Sequence, residues 1–148
     1  MSAPQLRTET VIDAPPQAVW DVLADFAAWD GWNPTLQRAS GPPVVGTDVR
    51  MRLRLGRVHV PMRQRILVAD GPRELAWNSR QPVPAALDVI RRFLLEPADG
   101  GRTRLVQLED TTGFLGWLEV RLLGRLIVRG YDALARALAA RLGVEVVS

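Results

Sequence analysis

The segment Phe114–Leu142 constrains this chain more than any other, because it keeps a helical period for longer than any other stretch keeps a pattern. Advancing each residue by 100° gathers Arg121, Arg125, Arg129, Asp132 and Arg136 in one sector. The opposite sector collects Gly116, Leu123, Ile127, Gly130, Leu134 and Leu138. At ~1.5 Å per residue the helix would be on the order of 40 Å long, enough to cross an entire sheet and close a core. Gly116, Gly124 and Gly130 each cost roughly 1 kcal/mol relative to alanine, which leaves room for a kink or break.

Such a helix needs a broad apolar partner, and the preceding residues read as strands. Leu6 to Ile12 alternates loosely around Arg7 and Glu9 and predicts the first strand. Asp13-Ala14-Pro15-Pro16 then announces a helix, with Asp13 in the capping place and proline in the first turn. That helix runs through Val19, Trp20, Leu23 and Phe26 and ends near Asp25 to Trp29. Gly31 and Pro34 interrupt Trp29-Asp30-Gly31-Trp32-Asn33-Pro34, which predicts a short helical turn or loop carrying two tryptophans. From there to Thr112 strands alternate with breaks at Gly41-Pro42-Pro43, near Gly56, at Asp70-Gly71-Pro72, at Gln81 to Pro84 and at Pro97 to Gly101.

A chain of 148 residues with 47% hydrophobic and 24% charged residues fits one α+β domain spanning 1–148 with a single core. The absence of cysteine removes disulfides, thiolate nucleophiles and cysteine-rich zinc sites. A net charge of only +3, with arginine as the sole basic residue besides His59, argues against nucleic acid as a partner. No apolar run approaches the roughly 18 residues of a membrane span, and a cytoplasmic location is expected. With one histidine, no cysteine and no carboxylate cluster, no metal is expected. A Ser-His-Asp arrangement would have to recruit His59, in the turn after Gly56, and no phosphate-binding glycine loop is present. No cofactor is expected.

The order strand, helix, helical turn, six strands and long helix carries local motifs: Ile12-Asp13-Ala14-Pro15-Pro16 before Val19-Trp20-Asp21-Val22-Leu23-Ala24-Asp25-Phe26, with Trp32-Asn33-Pro34 following. Phe93-Leu94-Leu95-Glu96-Pro97 leads to Gly100-Gly101-Arg102-Thr103-Arg104-Leu105, and Thr112-Gly113-Phe114-Leu115 opens the final helix. Over nearly its whole length the chain resembles the helix-grip superfamily, which includes START domains, Bet v 1-like proteins and the polyketide cyclase/dehydrase group. The resemblance implies a seven-stranded antiparallel sheet curved around the C-terminal helix, with two short helices after strand 1. It also implies a cavity for lipids, sterols, polyketides or other apolar ligands. It brings no universal catalytic set, so no catalytic residue is assigned.

Turn positions suggest what such a cavity would contain. Pairing Leu95 with Leu105 across the Pro97 to Gly101 turn keeps the apolar phases together and sets Phe93 opposite Gln107 and Arg91 opposite Glu109. These residues would place a polar spot on the inner face, joined by Glu119 near the start of the helix; a slip of one residue would turn the pair to the surface. Met51, Leu53, Met62, Trp77, Phe93, Leu123 and Ile127 are the apolar lining candidates, with plain core as the alternative. Tyr131 is a further acid-base candidate. Trp29 and Trp32 would gate a pocket mouth or plug the end of the core.

On the outer face Arg50, Arg52 and Arg54 alternate with apolar residues, and pairing across the Gly56 to His59 turn sets Arg52 near Arg63 and Arg50 near Arg65. This patch suits transient contact with an anionic membrane or an acidic partner, or is simply a solvated face. Three functions follow. The first is binding or carriage of a hydrophobic or amphipathic small molecule by a monomer or homodimer. The second is a polyketide cyclase or aromatase-type enzyme using Arg91 and Glu109. The third is an interaction protein at a membrane surface or in a larger assembly.

Overall fold

A computed structural model of the chain describes residues 5–79 and 87–147. Strand β1 (Leu6–Ile12) is followed by helix α1 (Pro16–Leu23), a 3₁₀ turn (Phe26–Gly31) and the short β2 (Leu36–Gln37). Then come β3 (Asp48–Leu55), β4 (Val58–Asp70), β5 (Glu74–Ser79), β6 (Asp88–Ala98) and β7 (Arg102–Thr112). Helix α2 (Phe114–Leu142) crosses the sheet, and β8 (Val146–Val147) ends the described chain. The strands form one antiparallel sheet in the order β2-β3-β4-β5-β6-β7-β1-β8, a meander closed by the first and last strands. This is the helix-grip arrangement, with eight strands where seven were expected. The addition is β8, two residues that pair with Val11 and Ile12 after the helix has ended.

Helix α2 runs unbroken between the predicted limits. Its glycines serve close approach. A Cβ on Gly116 would lie 2.7 Å from Thr111 Cγ2, and one on Gly130 would lie 3.4 Å from Thr35 Cγ2. Gly143, in the left-handed region at φ 71°, ends the helix, and its N–H donates back to the last turn. Leu134, Ala135, Leu138 and Ala139 are buried in one cluster with Ile12, Leu105 and α1 residues Val19 and Leu23.

Helix α1 starts at Pro16 with Pro15 in the capping place and no side-chain cap. Asp13 instead accepts from Arg102 Nε at 3.3 Å, so its expected capping role is corrected. The helix stops at Leu23, and Phe26 and Trp29 belong to the following 3₁₀ turn. That turn drives Trp29 into the core, where its Nε1 donates to the Leu23 carbonyl at 3.0 Å and its ring packs at a tilt against Phe26 and Trp77. Trp29 therefore cannot gate a mouth, because it is fully buried.

The β6–β7 hairpin has the expected register: Leu95 faces Leu105, Phe93 faces Gln107 and Arg91 faces Glu109. The β3–β4 hairpin differs by two residues. Its turn is only Gly56-Arg57, with Leu55 opposite Val58, so Arg50 faces Arg63 and Arg52 faces Pro61. Gly56 takes a positive φ of 60° in the first place of this two-residue turn, where glycine is favoured. Arg65 lies opposite Asp48 and forms an ion pair with it at 2.5 Å. His59 is an exposed residue of β4 opposite Arg54, not part of the turn. The break expected at Gln81 to Pro84 lies outside the described residues.

Candidate functional site

Between the concave face of the sheet and α2 lies a partly open cavity of about 100 Å³. Strand alternation decides what reaches it. The inward phase of β3 brings Leu53 and Leu55, that of β4 brings Met62 and Gln64, and that of β5 brings Trp77 and Ser79. Val89 and Arg91 enter from β6 and Glu109 from β7. Glu119, Leu123, Ile127, Gly130 and Tyr131 line it from one edge of α2, and Thr35 and Leu36 close one side.

Of the residues singled out in the sequence, Leu53, Met62, Trp77, Arg91, Glu109, Glu119, Leu123, Ile127 and Tyr131 meet at this cavity. Met51 and Phe93 are buried core residues just outside it, and Gln107 lies beneath it with no exposed surface. Trp32 packs beside the core, and neither Trp29 nor Trp32 lines the cavity. Thr35, Leu36, Leu55, Gln64, Ser79 and Val89 also line the cavity and were missed. The signal for Gln64 was available, since it shares the inward phase of Met62 and Ile66.

The polar groups form a connected set. Arg91, only 6% exposed, donates from Nη2 to Gln107 Oε1 at 2.8 Å. Gln107 in turn donates from Nε2 to the Tyr131 carbonyl at 2.9 Å, tying strand β7 to helix α2. The Tyr131 hydroxyl donates to Glu109 Oε2 at 2.5 Å. Although Arg91 and Glu109 face each other in register, they form no ion pair within 4 Å. The guanidinium instead lies over aromatic faces, its central carbon 4.2 Å from the Tyr131 ring centre and 4.5 Å from that of Phe93. Its Nε is buried without a partner among the described residues. A buried donor on a charged group is costly to leave unmade, so this atom marks where an acceptor would be welcome.

Burial also moves the protons. Desolvation lowers the Arg91 pKa, opposed by Tyr131 and Glu109, yet a guanidinium keeps its charge at neutral pH. Desolvation, and then the negative charge of Glu109, raise Glu119 from 4.5 to about 7. Desolvation raises Tyr131 well above the ordinary phenol value, against the pull of Arg91. The cavity thus combines a fixed cation, a carboxylate bonded to a phenol, and a second carboxyl that changes charge near neutrality. Such a set can hold an oxygen-bearing group and can exchange a proton with it.

Comparison with known proteins places this geometry in a family. The model of the family described as "Polyketide cyclase / dehydrase and lipid transport" matches residues 3–143. Among solved structures, the Zhui aromatase/cyclase of Streptomyces sp. R1128 is similar at 19% identity, with 93% of this chain and 92% of that one covered and a TM-score of 0.75. A START superfamily protein of Mycobacterium smegmatis matches at 14% identity, covering 93% and 95%, with a TM-score of 0.70. Norcoclaurine synthase of Thalictrum flavum, solved with dopamine and hydroxybenzaldehyde, matches at 14% identity, covering 95% and 87%, also with a TM-score of 0.70. At these identities the likeness speaks to the fold alone. No curated protein matches the chain.

Proposed function

The chain belongs to the polyketide cyclase/dehydrase and lipid transport family, and from that premise we propose that it binds an amphipathic small molecule whose oxygen-bearing head reaches Arg91. The observation that carries this reading is the buried guanidinium of Arg91, with one donor unpartnered among the described residues, in the wall of a cavity lined mainly by Leu53, Met62, Trp77, Leu123 and Ile127. Mostly apolar walls with a few convergent polar groups are how small-molecule sites fix orientation. Size limits the occupant. An apolar cavity of ~150 Å³ takes one benzene ring, so about 100 Å³ takes a compact head, and a longer apolar remainder has to extend outside the cavity.

The test is to purify the protein, identify retained molecules by native mass spectrometry after extraction, and titrate the candidates while following tryptophan emission. Arg91→Met should weaken binding roughly 10- to 100-fold, the span of a lost hydrogen bond to a charged group. Ile127→Trp, which fills the cavity, should abolish it. If nothing is retained, no amphipathic compound binds, and both variants behave as the parent, the reading fails.

A second reading, a cyclase or aromatase-type enzyme, draws support from the Tyr131–Glu109 hydrogen bond and from Glu119, raised to about 7 in the same cavity. These groups would pass protons to and from a reactive carbonyl chain while Arg91 holds its enolate oxygen. Turnover of a poly-ketone substrate, lost in Glu109→Gln, would favour it over simple carriage. Binding without conversion would leave carriage standing.

A further inference from the structure

The exposed surface of α2 is unlike that of a solvated helix over its first half. Phe114 and Leu122 are 71% and 69% exposed, and Leu115, Trp117, Leu118 and Leu126 are also exposed. Beside this apolar surface run Arg121, Arg125 and Arg129, all exposed and none in an ion pair among the described residues. Arg121 lies over the Trp117 ring, 5.3 Å from its centre. From residue 114 to residue 131 the only acidic side chain is Glu119, which turns toward the cavity. The helix therefore presents leucines, aromatics and unbalanced positive charge together, the composition of a helix that lies in the plane of a membrane interface.

We propose that residues 114–129 of α2 form a docking face for an anionic lipid bilayer. Charge decides between a bilayer and a second copy of the chain. A two-fold contact over residues 114–129 would bring together six arginines, three from each copy, while the one acidic residue of their sector, Asp132, lies beyond the end of that stretch. Anionic headgroups supply the countercharge, and the acyl boundary takes the leucines. Docking is peripheral, since among the described residues no helix is long and apolar enough to cross a membrane. The face adjoins the cavity: Leu123, 39% exposed, lines it, and Leu122 and Leu126 lie next to Leu123 around the helix. The docked surface would thus share Leu123 with the wall of the cavity, whatever the cavity holds. This places the membrane contact on the helix and not on the arginines of β3 and β4, where Arg65 is already held by Asp48.

The experiment is co-sedimentation of the full chain with vesicles of phosphatidylcholine alone and of phosphatidylcholine with 30% phosphatidylglycerol. Three proteins are compared with the parent: Leu118→Ser/Leu122→Ser, Arg121→Gln/Arg125→Gln/Arg129→Gln, and Arg50→Gln/Arg52→Gln/Arg63→Gln. All substituted positions lie at the surface, and circular dichroism checks folding. The parent should bind the anionic vesicles and weaken as salt rises. Three arginines near an anionic surface, each contributing about fivefold, predict a loss of roughly 100-fold in the helix arginine variant. The leucine variant should fail comparably, while the strand variant binds nearly as the parent does. No binding to anionic vesicles overturns the proposal, and so does a loss confined to the strand variant. A dimer in analytical ultracentrifugation that the leucine variant abolishes, without vesicle binding, overturns it in favour of self-association.

Discussion

Replacing Glu119 by Gln should stabilise the protein above neutral pH and leave it unchanged in acid. The folded environment raises this carboxyl from 4.5 to about 7, through burial and then through Glu109. The other charged or titratable groups at the same cavity are Arg91 from β6 and Tyr131 from α2. Below about pH 4.5 the group is protonated in both folded and unfolded chains, and its contribution is fully present. As pH rises, the unfolded chain ionises first while the folded chain must keep its proton or bury a charge near Glu109. Stability is therefore lost between about pH 4.5 and 7 and stays lost above. At 1.36 kcal/mol per pH unit the full difference would be ~3 kcal/mol. Glu119 is only part buried, and solvent screening reduces this to about 1–2 kcal/mol. For a chain of this size that is a rise in Tm of ~3–6 °C for Glu119→Gln at pH 8, and none at pH 4. Paired thermal melts from pH 4 to 9 read the difference directly, the other carboxyls being common to both proteins. A gap that stays constant across the range, or a variant less stable at pH 8, would refute the assignment of the cost to a buried, like-charged carboxyl.

Gln107→Leu should cost about 2–4 kcal/mol in urea unfolding, because it strips Arg91 of its partner and leaves a buried cation less satisfied. A loss below 1 kcal/mol would mean that Gln107 does not hold Arg91 in place. Gly71→Ala should cost ~1–3 kcal/mol, since the new methyl would lie 2.3 Å from Trp20 Nε1. The penalty should shrink in a Trp20→Phe background, whose smaller ring makes room, and strict additivity of the two changes would contradict the contact.

Two hairpins show why part of this fold was legible in the sequence and part was not. Every strand pattern repeats after two residues, so a slide of two preserves which side chains face inward and only the turn can distinguish the registers. In β6–β7 the glycine turn and the long apolar phases agreed on Leu95 opposite Leu105, and Arg91 came to face Glu109. In β3–β4 the alternation of arginine with apolar residues survives the slide unchanged. The two-residue turn and the Asp48–Arg65 pair then selected a register two residues away. The helix was readable because its period is anchored at both ends, by the Gly113 entry and the Gly143 stop.

What the pattern could not convey is direction within a face. Arg91 and Glu109 sit opposite each other, but a guanidinium on a strand can swing toward any acceptor of the same layer. It meets Gln107, two residues from Glu109 along β7, because Gln107 is pinned by the Tyr131 carbonyl of the helix. Glu109 is drawn to the Tyr131 hydroxyl instead. The expected strand-to-strand pair thus becomes two separate links to one helical residue, and Arg91 Nε has no partner among the described residues. A direct ion pair would have neutralised the cavity and left a ligand little to recognise. Routed through Tyr131, the same four side chains leave the two charges unpaired in the wall of one cavity. Tyr131→Phe tests this dependence: it frees Glu109 of its hydroxyl partner while keeping the aromatic face under Arg91, and should let Glu109 close on Arg91 and weaken binding of the oxygen-bearing ligand. A crystal structure of that variant with Arg91 and Glu109 still apart, and ligand affinity unchanged, would show that the tyrosine hydroxyl does not keep the site open.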